Sequence, residues 1–150
     1  MEVNLKPITK ENYKEVIYLS TNNKTATIRQ EYVAVNAISI VKSFFEDGLI
    51  IKGIAKDDKI VGFCMYGLDE ECGDYRIVSL MIDRDYQGHG YGGEALVLIL
   101  DELRDKKECK RAYINCLKDN ISAKKLYLDL GFKECDKCTS EEYLGFYFDF

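Results

Sequence analysis

Residues 77–106 read Ile77-Val-Ser-Leu-Met-Ile-Asp-Arg-Asp-Tyr-Gln-Gly-His-Gly-Tyr-Gly-Gly-Glu-Ala-Leu-Val-Leu-Ile-Leu-Asp-Glu-Leu-Arg-Asp-Lys106. The apolar run Ile77 to Ile82 predicts a buried strand, and Leu96, Ile99, Leu100 and Leu103 recur at helical spacing. Between them lie Gly88, Gly90, Gly92 and Gly93. Glycines at such a junction let backbone N–H groups approach a ligand closely. The first amides of a helix lack internal acceptors and carry partial positive charge, which suits a phosphate or pyrophosphate. Strand, glycine loop and helix together predict an anion cradle.

Spacing separates the kinds of cradle. Gly88, Gly90 and Gly93 fit the dinucleotide fingerprint G-x-G-x-x-G, a weak signal alone. That reading wants an acid about 20 residues on, at the tip of the next strand. The strand there ends Tyr113-Ile114-Asn115-Cys116, without a carboxylate. No Gly-Lys-Ser/Thr triplet supports a Walker loop. Q-x-x-G-x-G is matched by Gln87, Gly90 and Gly92.

With 150 residues, 47% hydrophobic and 31% charged, the chain reads as one domain spanning 1–150 with a real core. The net charge of −5 argues against nucleic acid as the main partner and favours a cationic small molecule. No apolar stretch has membrane-spanning length and Met1-Glu2-Val3-Asn4 is no secretory signal, so a cytoplasmic location is expected. Six cysteines include one CxxC, Cys135 to Cys138, without the second pair of a structural zinc site. Buried free thiols and no bound metal are the expectation.

The remaining elements follow in order. Val3 to Ile8 predicts a strand, then a helix runs to Leu19 with Tyr13, Val16 and Ile17 inward; Thr21 to Thr27 reads as a loop. Arg29 to Asp47 predicts helix in two pieces, with Asn36 capping the second and Gly48 ending it. Leu49 to Lys56 and Lys59 to Leu68 form a hairpin on Asp57-Asp58, followed by the acidic loop Asp69 to Asp74. After the cradle helix come a strand (Lys110 to Cys116), a helix (Ile121 to Leu130, stopped by Gly131) and strands Phe132 to Cys138 and Tyr143 to Phe150. The order β-α-α-β-β-β-α-β-α-β-β gives a mixed α/β (α+β) fold, a mostly antiparallel sheet flanked by helices.

A second motif narrows the function. Asn120-Ile-Ser-Ala123-Lys-Lys-Leu126-Tyr127-Leu-Asp-Leu-Gly131-Phe132 places Ala123, Leu126 and Tyr127 on one helix face. With Gln87-x-x-Gly90-x-Gly92 it resembles the paired signatures of the GNAT superfamily of acyl-CoA N-acyltransferases. Gln30 to Ser39, Ile60 to Gly67 and Leu80 to Asp83 look like its bacterial diamine (spermine/spermidine) N-acetyltransferase branch, although Ser79 stands where that branch suggests an Arg.

The resemblance implies acetyl-CoA as cosubstrate and two central strands splayed around its pantetheine arm. Backbone groups of Met81 and Ile82 would bond that arm. Gln87, Gly88, His89, Gly90, Tyr91, Gly92 and Gly93 would form the pyrophosphate loop. Asn120 and Ala123 would meet the arm, and Tyr127 would stand at the thioester sulfur as the acid. A primary amine must also lose a proton, so carboxylates near the acceptor are wanted. Glu31, Glu70, Glu71 and Asp74 are the candidates, with Tyr75 lining the groove. An antibiotic or protein amine as acceptor, or a non-catalytic CoA-binding sensor, remains as an alternative, and the aromatic segment Tyr143 to Phe150 offers a surface for a homodimer.

Overall fold

The computed structural model describes residues 1–21 and 26–150, and within 26–35 the backbone alone. Its elements are β1 (Val3–Pro7), α1 (Tyr13–Tyr18), α2 (Ala26–Phe45), β2 (Leu49–Lys56), β3 (Lys59–Asp69), β4 (Asp74–Ile82), α3 (Tyr91–Arg104), β5 (Arg111–Leu117), α4 (Ile121–Asp129), β6 (Lys133–Cys135) and β7 (Tyr143–Asp149). The expected order therefore holds. One seven-stranded sheet runs β1-β2-β3-β4-β5-β7-β6. Every neighbouring pair is antiparallel except β4 with β5.

Alternation along the strands feeds two cores, one on each face of the sheet. On one face Ile54, Cys64, Tyr66 and Ile77 pack with Ala95, Leu96, Ile99 and Leu103 of α3 and Tyr127 of α4. On the other, Phe63 and Met65 pack with Val16 and Leu19. β3 sits between both cores, which is why Val61 to Gly67 is buried without alternation. One polar cluster on the α3 face is fully paired: the Tyr66 hydroxyl donates to Glu102 Oε2 at 2.5 Å, and Lys52 Nζ reaches both Glu102 oxygens at 2.6 and 2.8 Å.

Three local expectations are corrected. α2 is a single helix of 20 residues, not two pieces. Asn36 is no cap; it is 1% exposed, and its Nδ2 donates to the Val16 carbonyl at 2.9 Å, tying α2 to α1. Tyr13 is 38% exposed instead of inward, because α1 starts only there, after Asn12 folds back on Thr9 N and the Pro7 carbonyl. The stretch read as a loop, 21–27, lies mostly outside the described residues.

Candidate active site

β4 ends in a clamp. Asp83 N donates to the Val61 carbonyl (2.8 Å), while the Asp83 carboxylate accepts from Ser20 N (2.9 Å) and Asp85 N (3.0 Å). Gln87 Nε2 then donates to the Ile82 carbonyl at 3.0 Å, so this side chain closes the loop internally. Gly88 and Gly90 take φ of 81° and 83°, the left-handed region that glycine enters without strain. A Cβ at either would point into open space.

The amides of Gly93 and Glu94 bond the Gly90 carbonyl at 3.0 and 3.1 Å. Among the described residues, those of Gly88, His89, Gly90, Tyr91 and Gly92 find no acceptor. They open the 14-residue α3, whose dipole adds positive potential at the same point. The rings in the loop are structural: His89 stacks on Tyr91 at 5.4 Å, and the buried Tyr91 reaches Glu2 Oε2 at 3.3 Å. A pyrophosphate fits this set of donors.

Beside the cradle the sheet opens. Among the described residues β4 and β5 pair only at Tyr75–Ala112 and Arg76–Tyr113. Antiparallel pairs alternate between bonded and non-bonded. Asp83 bonds Val61, so Ile82 opposite Gly62 is non-bonded and Met81 opposite Phe63 is bonded. Met81 thus spends its backbone groups on β3, contrary to the sequence reading. Leu80 and Ile82 turn theirs toward the opening, and the Ile82 carbonyl is already held by Gln87. Val78 is the extra residue in a bulge between Ser79 and Ile77, which resets this parity.

α4 closes the far side of the opening. Asn120 Oδ1 caps it, accepting from Ala123 N at 3.1 Å. Gly131 at φ 93° ends the helix turn. Tyr127 is buried against Phe146 (5.3 Å, edge-on) and Phe132 (5.7 Å). Burial, and then the Cys116 thiol, hold its phenol well above the ordinary tyrosine range, and its hydroxyl has no hydrogen-bond partner among the described residues. Gly93 joins the two motifs, since a Cβ there would stand 3.2 Å from Leu126 Cδ1.

The carboxylates collect at the other end of β4, nine residues long and so about 26 Å from the cradle end. Glu70 and Glu71 are exposed at the turn, and Asp69 is buried. They do not stand alone: Lys42 approaches Glu71 (3.7 Å) and Glu46 (3.4 Å), and Lys137 pairs with Asp74 at 2.6 Å. Burial opposes the charge on Lys42, but Asp69, Glu46 and Glu71 prevail and raise its pKa. Tyr75 packs against the α3 face, its pKa raised by burial and then by Glu108 and Cys109. Glu31 lies in the part of α2 of which the backbone alone is described. Lys42, Lys137 and Leu80 were missed by sequence reasoning, and no local pattern signals them: the lysines arrive from distant parts of the chain, and the parity of Leu80 is set by the Val78 bulge.

The Acetyltransferase (GNAT) family model matches residues 14–132, covering both motifs and the opened pair of strands. The chain belongs to the GNAT acetyltransferase family. Two Bacillus subtilis proteins, from strain 168 and from subsp. natto strain BEST195, are each 29% identical over 140 residues, covering 89% of both chains. The first is named spermine/spermidine N(1)-acetyltransferase. The fold is shared with the PaiA N-acetyltransferase of Thermoplasma acidophilum solved with coenzyme A (TM-score 0.74, 16% identity, 100% of each chain). It is shared too with PH1933 of Pyrococcus horikoshii OT3 (TM-score 0.76, 22% identity, 99% of each).

As a GNAT enzyme the protein uses acetyl-CoA, and the donor set of its cradle agrees with that cosubstrate. No helix among the described residues is long and apolar enough to cross a membrane. Within the segment considered for dimer pairing, Tyr143 to Phe150, the strand β7 is flanked in the sheet by β5 and by β6.

Proposed function

We propose that this GNAT enzyme acetylates a primary amine of a polyamine or diamine, with Tyr127 as the acid. The observation that carries the reading is placement. One strand bears the anion cradle at its carboxyl end and the carboxylates of the 69–74 turn at its other end, with the opening toward β5 between them. The name of the B. subtilis relative supports the same acceptor class.

In this reading the amides of Gly88 to Gly92 hold the pyrophosphate, and the Leu80 and Ile82 amides with Asn120 and Ala123 line the pantetheine arm. Acetyl-CoA supplies an acetyl group activated as a thioester. The chain must also handle protons. An amine of pKa about 10.4 costs on the order of 4–5 kcal/mol to deprotonate at pH 7. In this reading Glu70, Glu71 or Asp74, directly or through water, takes that proton.

The ion pairs of Lys42 and Lys137 support a cationic acceptor at this turn. Each occupies a carboxylate with an ammonium group, and exposed pairs of this kind contribute only about 0–1 kcal/mol, so a substrate ammonium exchanges with them at little cost. Glu70 makes no ion pair among the described residues. Tyr127, held protonated by burial, donates its proton to the departing thiolate.

The test is thiol release from acetyl-CoA across spermidine, spermine, short diamines, aminoglycosides and a lysine peptide. Turnover confined to polyamines and diamines is expected. Turnover confined to aminoglycosides or the peptide would replace the acceptor, and tight acetyl-CoA binding without turnover on any amine would replace catalysis with sensing.

A further inference from the structure

Cys64, Cys109 and Cys116 are buried as expected, but Cys72 is exposed and Cys135 and Cys138 are half-buried. Cys72 lies in the β3–β4 turn, where its amide donates to the Asp69 carbonyl at 3.2 Å. Cys138 lies in the turn between β6 and β7. There Thr139 Oγ1 donates to the Cys135 carbonyl (2.7 Å) and accepts from Gly145 N (2.9 Å). A Cβ on Gly145 would stand 2.6–2.9 Å from Cys138 atoms, so only glycine lets this turn lie flat on β7.

Arg76 brings the two turns together. Its Nη1 donates to Cys72 Sγ at 3.0 Å and its Nη2 to Cys138 Sγ at 3.5 Å. Both sulfurs therefore converge on one planar fork, which makes no ion pair with a carboxylate among the described residues. The Lys137–Asp74 pair at 2.6 Å holds the same turns in place. Burial raises the pKa of the Cys138 thiol, and the Arg76 guanidinium beside its sulfur works against that shift. The guanidinium also repels a metal cation, and among the described residues no three His, Cys, Asp or Glu groups are arranged to hold one.

We propose that Cys72 and Cys138 form a thiol–disulfide exchange site that reacts with a low-molecular-weight disulfide. The exposed Cys72 thiolate attacks one sulfur of the small disulfide and expels the other half as a thiolate. The Cys138 thiolate then attacks the Cys72 sulfur, forming the Cys72–Cys138 bond and expelling the second half. The protein loses two electrons and the small disulfide gains them, leaving two small thiols.

The test is incubation with oxidised glutathione, alkylation of free thiols and tryptic mapping without reduction. Cleavage after Lys59, Arg76, Lys133 and Lys137 separates the three cysteines, so a link between peptides 60–76 and 138–150 is expected. It should be reversed by dithiothreitol, retained in Cys135→Ser and absent in Cys72→Ser. Closing so long a loop should raise Tm by on the order of 5–15 °C in the oxidised protein. A link between peptides 134–137 and 138–150, a stable glutathione adduct on Cys72, or six unreacted thiols would each overturn the pairing.

Discussion

Replacing Tyr127 with Phe separates a chemical role from a packing role. The phenol ring is fixed by Phe146 and Phe132, and Phe keeps both contacts. Its hydroxyl has no hydrogen-bond partner among the described residues, so removal breaks no internal bond. The Tyr127 oxygen is not among the fully buried, unpaired polar atoms of the described residues, so its removal should leave stability within about 0.5 kcal/mol of the parent. Catalysis should suffer. General acids contribute about 10²–10⁴-fold, and a thiolate leaves readily, which puts the loss near the lower end, about 100-fold in kcat or ~2.7 kcal/mol. The assay is thiol release at saturating acetyl-CoA from pH 6 to 10, beside thermal melts of both proteins. Burial, reinforced by Cys116, keeps the phenol protonated past the ordinary tyrosine value, so no alkaline loss traceable to Tyr127 should occur in this range. Unchanged kcat would refute the acid role, and a fall in Tm matching the loss of activity would refute the separation itself.

Gly90→Ala forces a Cβ onto a left-handed backbone at φ 83° and into the space of the anion. It should cost about 1–2 kcal/mol of strain and raise the KM for acetyl-CoA roughly tenfold, with kcat nearly constant. Asn36→Ala removes the buried bond to the Val16 carbonyl and should lower stability by about 1–3 kcal/mol in urea melts. Glu102→Gln weakens the Lys52–Glu102–Tyr66 network, by about 1 kcal/mol since the carboxylate is a third exposed. Burial works to raise the Glu102 pKa, but the bonds from Lys52 and Tyr66 prevail and lower it. That stabilisation is complete above the ordinary carboxylate range and is lost as pH falls through the depressed value. Melts at pH 7 and pH 3 should therefore show the gap between parent and variant closing in acid.

The legible parts of this molecule were those encoded over short spans. The glycine cradle, the Asn120 cap and the Gly131 stop depend on backbone conformation within a few residues, and each matches its expected place. Asn36 was misread because its amide satisfies a carbonyl on another helix; locally, Asn looks like a cap in either case. Met81 was carried over from the family resemblance, whereas the Val78 bulge, which no alternation in the sequence announces, sets the strand parity that turns Leu80 toward the opening. Gln87 carries part of the motif, yet its side chain is spent on the Ile82 carbonyl and only its neighbours' amides face outward. The acidic turn was found but its neutralisation was not, because Lys42 and Lys137 arrive from distant parts of the chain.

The parallel pairing of β4 and β5 at two positions has a mechanical consequence. β1 to β4 form one continuous ladder and β5, β7 and β6 another, and the sheet is a single object only through a short seam. A ligand arm lying between Leu80 or Ile82 and β5 would act as a substitute strand, completing hydrogen bonds that the chain leaves open. Loading the cosubstrate would then weld the two ladders, slowing amide exchange at Leu80 and Ile82 and making the protein stiffest when it is charged for reaction. The enzyme's rigidity is in that sense partly carried by a molecule it releases on every turnover.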